Sequence, residues 1–574
     1  MRYAPGRTCK PLPPSTPSRF RYSGLPLIAF YLGLVLVLSS APLLAQADQD
    51  PEDPLTTALN EQLSCVDLAL YALDDQRPLI EQREFCLAAI YAELGNRPLW
   101  VSTAGPTETA AIILESLRES YREGLVPEDY EVASIESLWS SHHPEDLADL
   151  DLLLTYNLAK YIHDVSFGQM KLRHADPELF LSAGNTKFDP VQAVRLALGV
   201  SDLGAYLNSL PPQHHYYTSL KEALDRYRKL ALSAQWPTIP DGPLIRPGDT
   251  DRRLTLIAQR LTVDEFGLSA DLSTTDHYHH QLIEAVRAFQ TRHGLAADGI
   301  IGPQTLAMLN RSPAELVAII RANMTRWRWQ DHQLSDTYLM VNIAAYRLKA
   351  VRDGEVIHDL PVIVGKLQHQ TPVFSDTIRY LEFNPFWNVT PSIARNEELP
   401  ALRKNPHHLA ERRIRLFSSW QPDAHELDST AIDWNQVTPA QMSRYLLRQD
   451  PGPWNALGRV KFIFPNHHSV YLHDTPSRDL FNHASRSFSH GCIRVSQPLQ
   501  LALFCLDLNN EGWTMEDIDK IVASGRRKVI SLRERLPIHI TYQTAWVDNN
   551  GTIRFNADIY QRDEKLLHLL AARQ

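Results

Sequence analysis

Ser469-Val470-Tyr471-Leu472-His473, separated by fifteen residues from Ser489-His490-Gly491-Cys492-Ile493-Arg494, is the stretch on which fold and chemistry both turn. The first run is apolar and β-branched enough for a strand, and it ends on a histidine. A strand end is a rigid place from which to present a side chain. The second run sets a thiol directly after a glycine. The glycine permits a tight turn and a close approach of substrate. A cysteine becomes a useful nucleophile when a base or a cation stabilises its thiolate. His473 is the candidate base and Cys492 the candidate nucleophile. His490 and Tyr471 flank the pair, and the N–H groups of Gly491 and Cys492 are candidate oxyanion donors. Arg494 adds positive charge that favours a thiolate or holds a substrate carboxylate. A cysteine and a histidine alone would be weak evidence; the complete arrangement is stronger.

Working outward, the surroundings read as a sheet. Thr337–Ala345 and Tyr346–Val351 carry strand patterning, and Asp353-Gly354 is a strong hairpin signal because both turn positions favour positive φ. Leu360–Gly365, Ile378–Val389 and Val460–Pro465 continue it. A hairpin is expected over His539–Ile559, turning at Asn549-Asn550-Gly551. The whole β region spans 330–560. Between 391 and 457 the β pattern stops, and Glu397–Asn405 and Pro439–Leu447 look helical. Such an interruption is too long for a plain loop. It reads as a lid over the site, the alternative being a packing decoration elsewhere on the sheet.

Towards the N-terminus, residues 250–310 form a compact helical pattern. Ala285–Leu295 is an amphipathic helix closed by Gly294, and Asp298-Gly299-Ile300-Ile301-Gly302-Pro303 leads into another with Pro303 at its start. Asp276-His277-Tyr278-His279-His280 has zinc-binding chemistry, yet no second ligand cluster completes a site, so it reads as a polar, solvated loop. Pro237–Asp249 reads as a linker. Residues 61–245 are helical, as in Ala110–Leu117 and Leu152–Ala159. They show no titratable cluster with catalytic spacing, which suits a scaffold or docking domain. Residues 48–60, acidic and polar, read as a loose linker.

The first 47 residues differ in kind. Basic residues from Arg2 to Arg21 precede an uncharged stretch with an apolar heart at Leu25–Leu38, and Ala45-Gln46-Ala47 has the small-x-small form of a signal-peptidase site. The segment is a cleaved secretory signal or, if uncleaved, an inner-membrane anchor. At 574 residues about three or four domains are expected. A net charge of -10 disfavours nucleic acid as the partner, since phosphate binding wants a basic face. Five cysteines are too few for a disulfide scaffold. Cys65 and Cys86 can close a small loop or remain apart, and Cys505, in an apolar run, reads as a core thiol.

Two resemblances follow. Phe289, Gly294-Leu295, Asp298-Gly299, Gly302-Pro303 and Thr305-Leu306 resemble the peptidoglycan-binding domain type 1, a three-helix module. His473 followed by Ser489-His490-Gly491-Cys492 resembles the L,D-transpeptidase catalytic domain of the YkuD type. Many members carry Asn two residues after the cysteine, where this chain has Arg494. The layout as a whole is similar to the long periplasmic branch of that family. The resemblance implies a multidomain α+β protein with a helical scaffold domain, the three-helix module, and a mainly β catalytic domain with an inserted cap. It implies Cys492 as nucleophile and His473 as proton donor and acceptor, its imidazole oriented by a backbone carbonyl such as that of Asp474. Ser489, His490, Gly491, Arg494, Tyr471 and Asp474 would surround substrate or oxyanion. No metal or cofactor is implied. The implied reaction is acyl transfer from a tetrapeptide stem, with loss of D-Ala and 3→3 crosslinking, in the periplasm of a Gram-negative bacterium. Glycan strands, stem peptides and other cell-wall enzymes are the implied partners, and carbapenems the implied acylating inhibitors. An L,D-carboxypeptidase, lipoprotein attachment or release, and a non-catalytic wall-binding scaffold remain open alternatives.

Overall fold

The computed structural model describes residues 53–64, 79–170, 176–181, 188–233, 236–263, 276–508, 511–548 and 550–571. The signal or anchor segment, Cys65 and Asn549 lie outside them. Among the described residues no helix is long and apolar enough to cross a membrane.

The N-terminal helices Pro54–Ser64, Arg83–Leu94, Glu108–Arg118, Pro144–Phe167, Pro190–Gly199 and Leu203–Ser209 share one apolar core. Side chains of Thr107, Asp189 and Asp202 accept from backbone N–H groups at their helix starts, satisfying donors that have no partner within the helix. At the centre sits Asp151. Its carboxylate accepts from Tyr91 Oη at 2.5 Å and from the N–H groups of Leu99, Trp100 and Val101. The expected linker over 48–60 is corrected: Pro54–Ser64 is a helix, and Leu55 and Leu59 bury their side chains in the core.

The last helix of the expected 61–245 region, His215–Leu232, is bonded to Glu123 of the helical region through Tyr217 and Lys221, while its apolar face enters a different core. Its Tyr216, Tyr217, Leu220, Leu224 and Tyr227 pack with helix Pro313–Arg328 and with Phe555 near the C-terminus. Pro313–Arg328, opened by a Ser312/Glu315 capping box, acts as a spine. Arg321 Nε donates to Gly124 O at 2.7 Å on the helical side. Arg326 pairs with Asp563 at 2.6 Å, and Asn323 Nδ2 donates to Thr544 Oγ1 at 2.8 Å, on the sheet side.

Helices Arg253–Val263, His280–Arg292 and Pro303–Leu309 enclose a separate small core. Buried Gln290 clamps the Asp298-Gly299 turn. Its Oε1 accepts from Gly299 N at 2.8 Å, while its Nε2 donates to Ile300 O and Asp298 Oδ1. Two sequence expectations change here. The 237–249 segment is no free linker: Ile239 and Ile245 are buried, and Ile245 bridges Ile301. Within 276–280, Asp276, His277 and His280 are exposed as a polar loop would have them, but Tyr278 is buried and donates from its hydroxyl to Gly299 O at 2.6 Å. The turn that Gln290 and Tyr278 both brace explains the aromatic among the histidines.

The C-terminal half is built on nine strands: β1 Tyr338–Asn342, β2 Arg347–Arg352, β3 Glu355–Gly365, β4 Phe374–Phe383, β5 Val460–Ile463, β6 Leu472–His473, β7 Ser487–Ser489, β8 Ile493–Val495 and β9 Lys528–Thr541. Their order is β7-β3-β8-β6-β5-β4-β9-β1-β2, and a further pairing of β2 with β3 closes eight of them into a ring. Asp353 and Gly354 both have positive φ, as the β2–β3 hairpin requires. One face of the sheet, with helix Pro498–Leu506, forms the largest core and buries Cys505. The expected C-terminal hairpin is shorter than read: His539–Thr541 completes β9, and Ala545–Val547 pairs with Ile553–Phe555.

Within 391–457 the expectation of helices alone is overturned. Ile414–Phe417, Glu426–Leu427 and Leu446–Gln449 form a four-stranded sheet with Trp387–Asn388, over a core of its own. The helix expected to run from Pro439 to Leu447 stops after Met442, and Leu446-Leu447 pair as strand with Phe417 and Leu416.

Candidate active site

Strand register assembles the site. β6 and β8 run parallel with Leu472 opposite Ile493 and His473 opposite Arg494, while Lys461 of β5 lies opposite His473. Successive side chains alternate between faces. Leu472, Ile493 and Phe462 therefore enter the core, and Lys461, Tyr471, His473, Cys492 and Arg494 share the other face. Two segments distant in sequence thus place a thiol and an imidazole on neighbouring strands of one rigid sheet.

His473 is buried, 5% exposed, and its Nδ1 lies 2.5 Å from Asp474 O. A carbonyl only accepts, so Nδ1 carries the proton and Nε2 is left with its lone pair free. Burial lowers the imidazole pKa from 6.5 to about 3, with Arg494 and Lys461 adding to the shift and the Asp474 bond opposing it. The ring is neutral at physiological pH. The carboxylate of Asp474 is turned away from the site: it accepts from Arg459 N and Nε at 2.9 and 2.8 Å and from Thr475 N, and pairs with Arg478.

Cys492 is half-buried, its sulfur 3.8 Å from Ser469 O. Burial raises its pKa above the ordinary thiol value, while hydrogen bonding from Tyr471 and the charges of Lys461 and Arg494 pull it down. Because the side chain is partly open to solvent, the direction rather than the size of that shift describes the site. Lys461 Nζ stands 3.9 Å from the centroid of the Tyr471 ring. At rest the pair is a neutral thiol and a neutral imidazole, and the nearby cations favour a thiolate while disfavouring an imidazolium.

The turn before Cys492 is braced from within. Ser489 is 1% exposed; its Oγ donates to Cys492 O at 2.5 Å and accepts from Gly491 N at 3.1 Å. Gly491 has φ +110°, and an added Cβ would find its nearest neighbour at 3.6 Å, so the torsion and not the space demands glycine. From behind, Thr371 Oγ1 donates to Gly491 O at 2.9 Å, and Tyr560 Oη accepts from Thr371 N at 3.2 Å. The Gly491 N–H is thus occupied, whereas the Cys492 N–H makes no hydrogen bond to any described residue.

Residues 336–526 match the family model of the L,D-transpeptidase catalytic domain, YkuD. The chain carries a YkuD-type catalytic domain. Residues 261–309 match a "Putative peptidoglycan binding domain" and residues 86–224 a scaffold domain. A "Putative L,D-transpeptidase" of Haemophilus influenzae is 32% identical over 228 residues, which cover 40% of this chain and 45% of that relative, about half its length. Among solved structures, an L,D-transpeptidase from Mycobacterium smegmatis is 14% identical, covering 36% of this chain and 58% of that one with a TM-score of 0.17. One from Xylanimonas cellulosilytica, residues 123–326, is 15% identical, covering 53% and 99% with a TM-score of 0.17.

The inserted sheet reaches the turn before Cys492 through one helix. Residues 391–404 are helical with a π-helical turn at Ala394–Glu398. Such widened turns recur at functional sites. Here two consecutive acids diverge: Glu397 pairs with His490 Nε2, while Glu398, fully buried, pairs with His408 at 2.8 Å and with Arg412. The His490 ring also lies beside that of His369, with centroids 5.0 Å apart and planes tilted by 38°. Of the eight sequence candidates, Cys492, His473, Tyr471 and Arg494 share the sheet face, with Gly491 leading into it. His490 meets the insertion. Ser489 Oγ and the Asp474 carboxylate are engaged by protein partners and brace the turns that carry Cys492 and His473. The sequence reading missed Lys461, a lone charge in the apolar run Val460–Phe464 and in register with His473, which was its available signal. It also missed Glu397 and Thr371, for which local sequence offers none.

Proposed function

We propose that this protein is a peptidoglycan L,D-transpeptidase acting through a Cys492 thioester. The observation that carries the reading is the half-open thiol on one sheet face with a neutral imidazole whose Nδ1 is engaged by Asp474 O. Nε2 of His473 is the base for the thiol proton. Lys461, Arg494 and Tyr471 stabilise the sulfur as it becomes anionic. The sulfur attacks the carbonyl of residue 3 of a tetrapeptide stem, and the Cys492 N–H is the free donor for the developing oxyanion. The proton taken by His473 passes to the departing D-Ala amine. An amine of a neighbouring stem then attacks the thioester and gives up a proton to His473, which closes a 3→3 crosslink and regenerates the thiol. With His473 so disfavoured as a cation, its protonation is transient and coupled to attack, in place of a resting thiolate–imidazolium pair.

The 261–309 match supports peptidoglycan as substrate, and the apolar N-terminal stretch supports export to the periplasm, with roles in wall assembly and cell shape. Water in place of the acceptor amine would make the same acyl-enzyme an L,D-carboxypeptidase. The test is product analysis of purified protein with tetrapeptide muropeptides. Dimers lacking one D-Ala, absent with Cys492→Ala, are expected. Tripeptide monomer alone would assign the carboxypeptidase, and turnover retained by Cys492→Ala would exclude this thiol.

A further inference from the structure

A groove of about 1110 Å³ runs between the three-helix module, the C-terminal hairpin and the sheet. Gly294 and Met308 mark the module wall, Arg554 the hairpin wall, and Ser485 and Arg486, which lead into β7 and the nucleophile turn, the sheet wall. At one place it shares Ala345, Arg347, Lys349 and Trp546 with a narrow slot of about 30 Å³. The slot is walled by Trp546, by the buried Trp327 and by Tyr216, whose ring stacks on Trp327 at 5.3 Å. Its lining also carries Asn342, Arg347, Lys349 and Thr541, and among these polar groups Gln543 is set apart by its unpartnered side-chain amide. That residue is 1% exposed; its backbone N–H and carbonyl are engaged by the Asn342 side chain, yet neither its side-chain Nε2 nor its Oε1 has a protein partner. The indole N–H groups of Trp327 and Trp546 are unpaired as well.

A buried amide with both ends unsatisfied costs stability unless a ligand completes it. The free Nε2 donor, set between aromatic walls, suits the carbonyl oxygen of an acetamido group. The slot has room for about two water-sized groups. That is the size of a carbonyl oxygen and a methyl group, while the open groove beside it accommodates a chain of sugar rings against Trp546. We propose that the groove is a second substrate site, separate from Cys492, that holds a β-1,4-linked N-acetylhexosamine strand with one acetamido group seated on Gln543. The wall-directed reading above supplies only the natural source of such a strand. Bound there, a glycan would pass along the segment that carries the nucleophile turn.

The test is calorimetric titration of the full protein with tetra-N-acetylchitotetraose and with cellotetraose, which is neutral, has the same linkage and lacks the acetamides. The acetylated oligomer is expected to bind at least tenfold tighter, because a site built for a polar group rejects the analogue lacking it. Gln543→Leu should lose that preference with thermal stability unchanged or raised, since an unpaired buried amide is replaced by a side chain of similar size. Trp546→Ala, at a half-exposed position, should weaken the acetylated oligomer, and alkylation of Cys492 should proceed at the parent rate in both variants. Equal binding of the two oligomers, no binding into the millimolar range, or binding of a free stem peptide instead would overturn the proposal. A marked loss of stability in Gln543→Leu would identify the amide as a structural group bridged by trapped water, and would overturn it equally. Failure here leaves acylation of Cys492 untouched, so it is distinguishable from failure of the transpeptidase reading.

Discussion

At the scale of single residues, the site depends on charge placement around two neutral groups. Burial raises the Cys492 pKa, so the thiolate fraction is small at pH 7 and grows through the alkaline range. Alkylation by iodoacetamide should accelerate steadily to pH 9 and beyond; a plateau near pH 7 would contradict the assignment. Lys461→Met removes a cation that favours the thiolate, and alkylation at pH 8 should slow by about three- to tenfold. For His473 the folded pKa, about 3, lies below the unfolded value of 6.5. The unfolded chain therefore takes up a proton that the folded one refuses. Its contribution is whole above pH 6.5 and is lost as pH falls towards 3, reaching roughly 4–5 kcal/mol. His473→Gln should flatten the stability profile between pH 6.5 and 4 by one proton's slope in urea titrations; an unchanged slope would place the titrating group elsewhere. The meeting of Cys492 and His473 on one sheet face was legible because two short local runs of sequence carry it. Lys461 was not, because its importance comes from strand register with His473.

At the scale of elements, the inserted subdomain meets the turn before Cys492 through Glu397 and His490, a partly exposed pair. Such pairs contribute about 1 kcal/mol or less to stability, so Glu397→Gln should leave the unfolding midpoint nearly unchanged. Its effect should fall on substrate engagement: KM for the tetrapeptide donor rises by about threefold, equivalent to under 1 kcal/mol, with kcat retained. Loss of kcat with KM unchanged would mean that the contact serves chemistry instead. The β2–β3 hairpin could be read from Asp353-Gly354 alone because its determinant is local torsion. The insertion's sheet could not. Its strands are two to four residues long, and Leu446–Gln449 pairs with partners about thirty and sixty positions away. Neither alternation nor turn chemistry reports pairing over such gaps.

At the scale of the molecule, helix Pro313–Arg328 joins the helical region to the sheet, and its ion pair with Asp563 is nearly buried on both sides. Removing one partner of such a pair leaves an uncompensated charge, so Asp563→Ala should cost about 3–5 kcal/mol in urea unfolding. Tyr560, three residues before Asp563, bonds Thr371 and through it the turn before Cys492, so Cys492 alkylation should slow as well. A destabilised variant with unaltered alkylation would show that this chain of contacts does not position the thiol. The helical pattern over 61–245 took in His215–Leu232 without showing that it packs with the spine, since amphipathicity defines a face without naming its partner. The central claim is covalent catalysis by Cys492. Its most direct test is intact-mass analysis of the protein quenched during turnover of a tetrapeptide donor, followed by peptide mapping. The account predicts one added mass equal to the donor less D-Ala, carried on Cys492, hydroxylamine-labile and absent from Cys492→Ala. An acyl adduct on another residue, or one that persists in Cys492→Ala, would contradict it.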